Sequence, residues 1–207
     1  MASETTTEIY VGIDYSLSSP CMCVYTNRPE KTEFDNSQFY FLTNQKKMTG
    51  TWNNITGLIH SSYSTEQERY HNIACTFTSL IPADNTMIGI EDYSFGSTGR
   101  VFHIAENCGH LKHRIWSNRM KFETYAPSAI KKFATGKGNA NKEKMYEAFL
   151  ARTGVDLIKL MAANKIDSPI TDIVDSFYIS LYTMVKHLTH DDANPSLYTV
   201  MQSLGPV

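Results

Sequence analysis

Four acidic residues, Asp14, Glu91, Asp172 and Asp175, are spaced so that they could work as one group. Asp172 and Asp175 are three residues apart, which on a helix puts both on the same face. Asp14 and Glu91 each close a short apolar run, Ile9-Tyr-Val-Gly-Ile and Met87-Ile-Gly-Ile, of the kind that forms buried strands. If those strands are neighbours and the helix packs across them, the four carboxylates converge. Unneutralised, such a cluster repels itself and raises its own pKa values, and a divalent cation relieves the repulsion. Oxygen ligands without Cys or His suit Mg²⁺, with Mn²⁺ as a substitute. Two such ions can activate a water and stabilise the departing 3′-oxygen of a phosphodiester, so this chemistry is metal-dependent cleavage of a nucleic acid backbone.

Each acid also has a plainer reading. Asp172 could complement the dipole of a helix first turn, and Asp14, ahead of Tyr15 and Ser16, could be a turn residue. Asp175 is harder to explain away, because it stands among Ile173, Val174 and Phe177, where an unpaired carboxylate is costly to bury. Glu91 is followed by Asp92, and strand alternation lets only one of them face Asp14.

The elements that must position these acids follow from periodicity. Ile9, Val11 and Ile13 alternate with Tyr10, Gly12 and Asp14 in a first strand. Ser18, Ser19 and Pro20 form a turn into an antiparallel strand at 21–25, and 38–42 forms a third. Residues 43–64 are polar and glycine-containing, long for a connection, and read as a functional loop in which Trp52 is a packing plug or a lid. A helix capped by Thr65 spans 65–80, a buried strand 87–91, a long helix 101–116 and a fifth strand 122–125, stopped by Pro127. Helices at 128–133, 142–152 and 171–188 follow, the last turning Ile173, Phe177, Leu181 and Met184 inward. This order predicts an α/β fold, a mixed five-stranded sheet of three antiparallel strands then two parallel ones, flanked by helices. One domain over residues 1–190 and a polar tail at 191–207 are expected.

Net charge is −2, which by itself disfavours a polyanionic partner. The distribution does not. Residues 100–152 hold 11 Lys or Arg against 4 Glu and no Asp, a local charge of +7 that leaves −9 for the remainder. The basic segment reads as one phosphate-facing surface or as a solvated face, and on the first reading Arg100, Lys131, Lys132, Lys137, Lys142 and Lys144 are candidate DNA contacts. Gly136-Lys-Gly138 is not a Walker loop, lacking both the spacing and the Ser or Thr after Lys, but a helix opening near Ala140 beside lysines can grip a phosphate. Cys21, Cys23, Cys75 and Cys108 have no Cys-x-x-Cys spacing and read as buried thiols; His110 and His113 share a helix face without a third ligand. The opening MASETTTEIY has no signal or transit pattern and no run is long enough for a membrane span, so a cytoplasmic protein without membrane contact is expected.

Four blocks stand in order over most of residues 9–186: Tyr10-Val-Gly-Ile-Asp14-Tyr-Ser, Met87-Ile-Gly-Ile-Glu91-Asp, residues 122–132 followed by Gly136-Lys-Gly-Asn-Ala-Asn-Lys142, and Asp172-Ile-Val-Asp175-Ser. The series resembles the RuvC-type Holliday junction resolvases of the RNase H-like superfamily, especially their phage relatives, which would place it in a bacterial host's cytoplasm. The resemblance implies that Asp14, Glu91, Asp172 and Asp175 hold two Mg²⁺ per active site, that Glu91 rather than Asp92 is the second acid, and that Lys142 stabilises the scissile phosphate. It also puts Phe95 one residue from the aromatic wedge of such enzymes, a DNA contact to set against a loop aromatic packing back on the sheet, and implies a homodimer on four-way or otherwise branched DNA. The 101–116 helix is the expected dimer contact. The 43–64 segment is longer than the family pattern. Two other readings compete. Actin-like ATPases open with a similar strand but need two such domains, and a non-catalytic DNA-binding or assembly protein on this fold would not need all four acids.

Overall fold

The computed structural model describes residues 8–83, 85–92 and 101–190. Its centre is a mixed sheet of seven strands: β1 (Ile9–Asp14), β2 (Cys21–Thr26), β3 (Ser37–Thr43), β4 (Gly50–Trp52), β5 (Ile55–Ile59), β6 (Thr86–Glu91) and β7 (Lys121–Tyr125). The spatial order is β4-β5-β3-β2-β1-β6-β7. As expected, β1, β2 and β3 pair antiparallel, while β6 and β7 continue parallel to β1.

The expectation of five strands and a 43–64 loop is corrected here. That segment holds a short 3₁₀ turn, Lys46–Met48, and the hairpin β4–β5, whose inner strand pairs parallel with β3. The turn of this hairpin is Asn53-Asn54 with Asn53 at φ 55°, so the usual Asn-Gly signal is missing. Gly57 reads as a breaker but is needed inside β5: a Cβ there would lie 2.1 Å from the Met48 carbonyl oxygen and 2.6 Å from the Phe41 ring. Trp52 stacks on Phe41, ring centroids 6.3 Å apart, and plugs the sheet's end.

Helices cover both faces. On one side, α1 (Glu66–Leu80) and α2 (Val101–Ser117) pack on Val11, Ile13, Met22, Ile88 and Ile90. The Thr65 side chain caps α1 by accepting from the Glu68 N–H at 3.1 Å. The opposite face carries α3 (Pro127–Thr135), α4 (Lys142–Thr153), the short α5 (Leu157–Leu160) and α6 (Ile170–His190) over Tyr10, Cys21, Cys23, Phe39 and Phe41. Ile173, Phe177, Leu181 and Met184 all point into this core.

α6 lies directly on the sheet at two glycines that pair across β1 and β6, Gly12 and Gly89. A Cβ at Gly12 would fall 2.2 Å from the Ser176 carbonyl oxygen and 2.2 Å from the Ser180 nitrogen; one at Gly89 would meet Thr183 Oγ1 at 2.0 Å. At Gly12 helix backbone and strand backbone therefore meet without side chains between them, while Gly89 makes room for the Thr183 and Tyr125 side chains.

Candidate active site

Register decides where the acids go. Ile13 pairs with Ile90 on the parallel neighbours β1 and β6, so Asp14 and Glu91 emerge side by side at the same end of the sheet. Alternation puts both on the α6 face, because Val11, Ile13, Ile88 and Ile90 occupy the other. Asp172 lies in the first turn of α6 and Asp175 one turn on. The close seat of α6 over Gly12 brings both to Asp14 and Glu91. All four acids are half-buried.

Asp92 faces the other way. Its N–H donates to the Tyr125 carbonyl at 2.8 Å, and its carboxylate pairs with Lys112 of α2 at 3.6 Å. The choice left open by alternation thus falls on Glu91 in position, if not yet in role.

Mutual repulsion is written into the titration of the cluster. Burial and the charges of Glu91, Asp172 and Asp175 push Asp14 well above the usual carboxylate range. Burial, then the charge of Asp175, pushes Glu91 to about 7, and burial with Asp172 pushes Asp175 to about 6. Asp172 is also raised by burial, but hydrogen bonds from Ser168, Ser19 and Thr171 oppose the rise. Two lysines counter the negative field: Lys142 acts on Asp14, Asp172 and Asp175, and Lys131 on Glu91 and Asp175.

Local sequence explains both lysines. In α3, Phe133 packs against Tyr178 and Tyr182 of α6, and Ile130 is buried, which sets the helix with Lys131 beside the acids. In α4, Asn141 caps the helix by accepting from the Lys144 N–H at 3.0 Å, and Phe149 packs edge-on against Phe177 at 5.1 Å. Lys142 stands in the first turn and ion-pairs Asp167 at 3.6 Å. Lys132, Lys137 and Lys144 are exposed nearby, Lys144 paired with Glu147 at 2.6 Å. Phe95 and Arg100 lie outside the described residues.

The basic segment is not one surface, which corrects the single phosphate-facing stretch expected of it. Lys112 and Arg114 face the α1–α2 side, Arg119 and Lys121 line a cavity of about 440 Å³ at the far end of the sheet, and Arg152 is bound to Glu33 at 2.5 Å. Cys75 is half-buried rather than buried, with its sulfur 3.2 Å from His71 Nε2. His110 packs on Tyr70 and His113 on Trp116.

An all-carboxylate donor set with raised pKa values fits a hard divalent cation, which would offset both the burial of the charges and their mutual repulsion. Among the described residues, no three His, Cys, Asp or Glu side chains are drawn close enough to enclose an ion as they stand. Sequence reasoning missed Ser19, Asp167 and Ser168, which surround Asp172 and Lys142. Ser19 and Ser168 are 149 residues apart, so no local spacing could have joined them.

Comparisons with known proteins bear on the fold and the family. No curated protein matches the sequence. The structure is similar to that of Thermus thermophilus RuvC, with 13% identity, a TM-score of 0.57 and coverage of 88% of this chain and 96% of that one. It is likewise similar to T. thermophilus RuvC in complex with a Holliday junction substrate (12% identity, TM-score 0.56, 88% and 97% coverage). The yeast mitochondrial Holliday junction resolvase Ydc2 aligns at 12% identity and a TM-score of 0.53 over 87% of this chain and 80% of that one. At these identities the likeness carries the fold. The family itself is fixed by sequence, since residues 46–181 match the model for crossover junction endodeoxyribonuclease RuvC, and the chain belongs to that family.

Proposed function

We propose that the chain is a structure-selective DNA endonuclease that resolves Holliday junctions, acting as a homodimer with two Mg²⁺ bound by Asp14, Glu91, Asp172 and Asp175. The observation that carries this reading is the meeting of four acids from three separate elements, with Lys131 and Lys142 set against them. Bound there, the ions would supply an activated water and charge neutralisation at the departing 3′-oxygen. The residues themselves hold and orient. Asp14 and Glu91 are fixed by strand ends, Asp172 and Asp175 by the first turns of α6, and Lys142, exposed on α4, is free to exchange its contact with Asp167 for a phosphate oxygen.

Support for a homodimer comes from α2, which exposes Phe102 at 82% and Trp116 at 70%. A twofold pair would supply two active sites for two opposing strands. No helix among the described residues is long and apolar enough to cross a membrane, and we place the protein's action in the cytoplasm.

The test is cleavage of a synthetic four-way junction with labelled arms, with and without Mg²⁺, by the wild-type chain and Asp175→Asn. Paired nicks by the wild type, and binding without cutting by the variant, are expected. Binding without cutting by the wild type would overturn the reading in favour of a non-catalytic junction-binding protein. Faster cutting of linear duplex would make the enzyme a general nuclease.

A further inference from the structure

Among the four acids, Asp172 is the one gripped by neighbouring hydroxyl groups. The Ser168 hydroxyl, one turn earlier in the chain, donates to Asp172 Oδ2, and Thr171 Oγ1 donates to Oδ1 at 3.3 Å. The Ser19 hydroxyl lies 2.5 Å from that of Ser168 and within reach of the same carboxylate.

Both serines sit on anchored backbone. Ser19 belongs to the turn that follows Asp14, and this turn is held from outside: Arg69 of α1 donates to the Leu17 carbonyl at 2.7 Å, and His60 contacts the Ser18 carbonyl at 3.0 Å. Ser168 is held by its own N–H, which donates to Asp167 Oδ1 at 2.9 Å, and Asp167 in turn pairs with Lys165 at 2.9 Å and Lys142 at 3.6 Å. Hydroxyl donors on a carboxylate fix its rotamer and leave the remaining lone pairs aimed in a set direction.

We propose that Ser168 and Ser19 are positioning residues that set the Asp172 carboxylate for a divalent cation, tying the turn after Asp14 to the start of α6. The inference rests on the reading of the four acids as a metal site. It assigns the 165–168 segment a double task, because the same few residues hold Lys142 through Asp167 and Asp172 through Ser168.

The experiment is Mn²⁺ binding to the full DNA-free chain by calorimetry, beside a Mg²⁺ titration of junction cleavage, for wild type, Ser168→Ala, Ser168→Thr and Ser19→Ala. Ser168→Ala is expected to weaken Mn²⁺ binding about tenfold and to raise the Mg²⁺ concentration for half-maximal cleavage by a similar factor. Ser19→Ala should do the same to a smaller extent, and Ser168→Thr, which keeps the hydroxyl, should restore both. Melting temperature and metal-free junction affinity should stay at the wild-type level. Alanine variants that bind Mn²⁺ within about twofold of wild type overturn the inference alone, as does a loss of binding that tracks a fall in melting temperature and is not restored by Ser168→Thr. A wild-type chain that binds no Mn²⁺ overturns the metal reading with it.

Discussion

Glu91 and Asp175 hold their protons more tightly folded than unfolded: burial and the charge of Asp175 lift Glu91 to about 7, and burial and the charge of Asp172 lift Asp175 to about 6. A carboxyl raised in this way adds stability below its unfolded pKa and loses that contribution as pH climbs through the folded value. The metal-free protein should therefore lose thermal stability between about pH 4.5 and about pH 7.5, on the order of 5 °C in melting temperature, and saturating Mg²⁺ should restore it at the upper end. A melting curve series with and without Mg²⁺ checks this; a melting temperature that rises with pH across that range would contradict it. Facing direction gives a second test. Glu91→Gln should lower junction cleavage by roughly a hundredfold or more, whereas Asp92→Asn, on the α2 side of the sheet, should leave single-turnover rates near wild type. Equal loss in both would mean that the strand register does not select the acid.

At the scale of elements, the seat of α6 on β1 and β6 is the contact on which the site's geometry rests. Gly12→Ala places a methyl carbon 2.2 Å from helix backbone atoms, which cannot rotate away. A destabilisation of about 1–3 kcal/mol or more is expected, read by urea unfolding. Much of this framework was legible beforehand: alternation marked β1 and β6, the i, i+3 spacing paired Asp172 with Asp175, and helical periodicity found α1, α2 and α6. What was not legible has physical causes. β4 and β5 are three and five residues long and are joined through Asn53 rather than glycine, while Gly57 answers to a crossing backbone instead of a turn. The hydroxyl grip on Asp172 joins residues distant in sequence, and only the folded chain brings them together.

For the molecule as a whole, charge proved a coarser guide than topology. The basic stretch divides between the acid cluster, the α1–α2 face and the far end of the sheet, so among its described residues only Lys131 and Lys142 act on the carboxylates. The exposed aromatics of α2 make a prediction at this scale. Phe102→Glu with Trp116→Glu should convert the proposed dimer to a monomer in sedimentation experiments, and the monomer should nick a junction on one strand without completing paired cuts. A dimer that survives both substitutions would place the contact elsewhere.

At Gly12 the backbone of β1 bears directly on the backbone of α6. Most helix–sheet interfaces are cushioned by side chains that repack when a neighbour grows, but here the spacer is the thickness of two polypeptide backbones. The gap between the strand-borne and the helix-borne acids is therefore machined rather than upholstered. A single added methyl at this seam, on the buried side of the sheet, should act as a wedge under a beam, tilting the far end and leaving an enzyme that still grasps its junction while its cutting edges no longer meet.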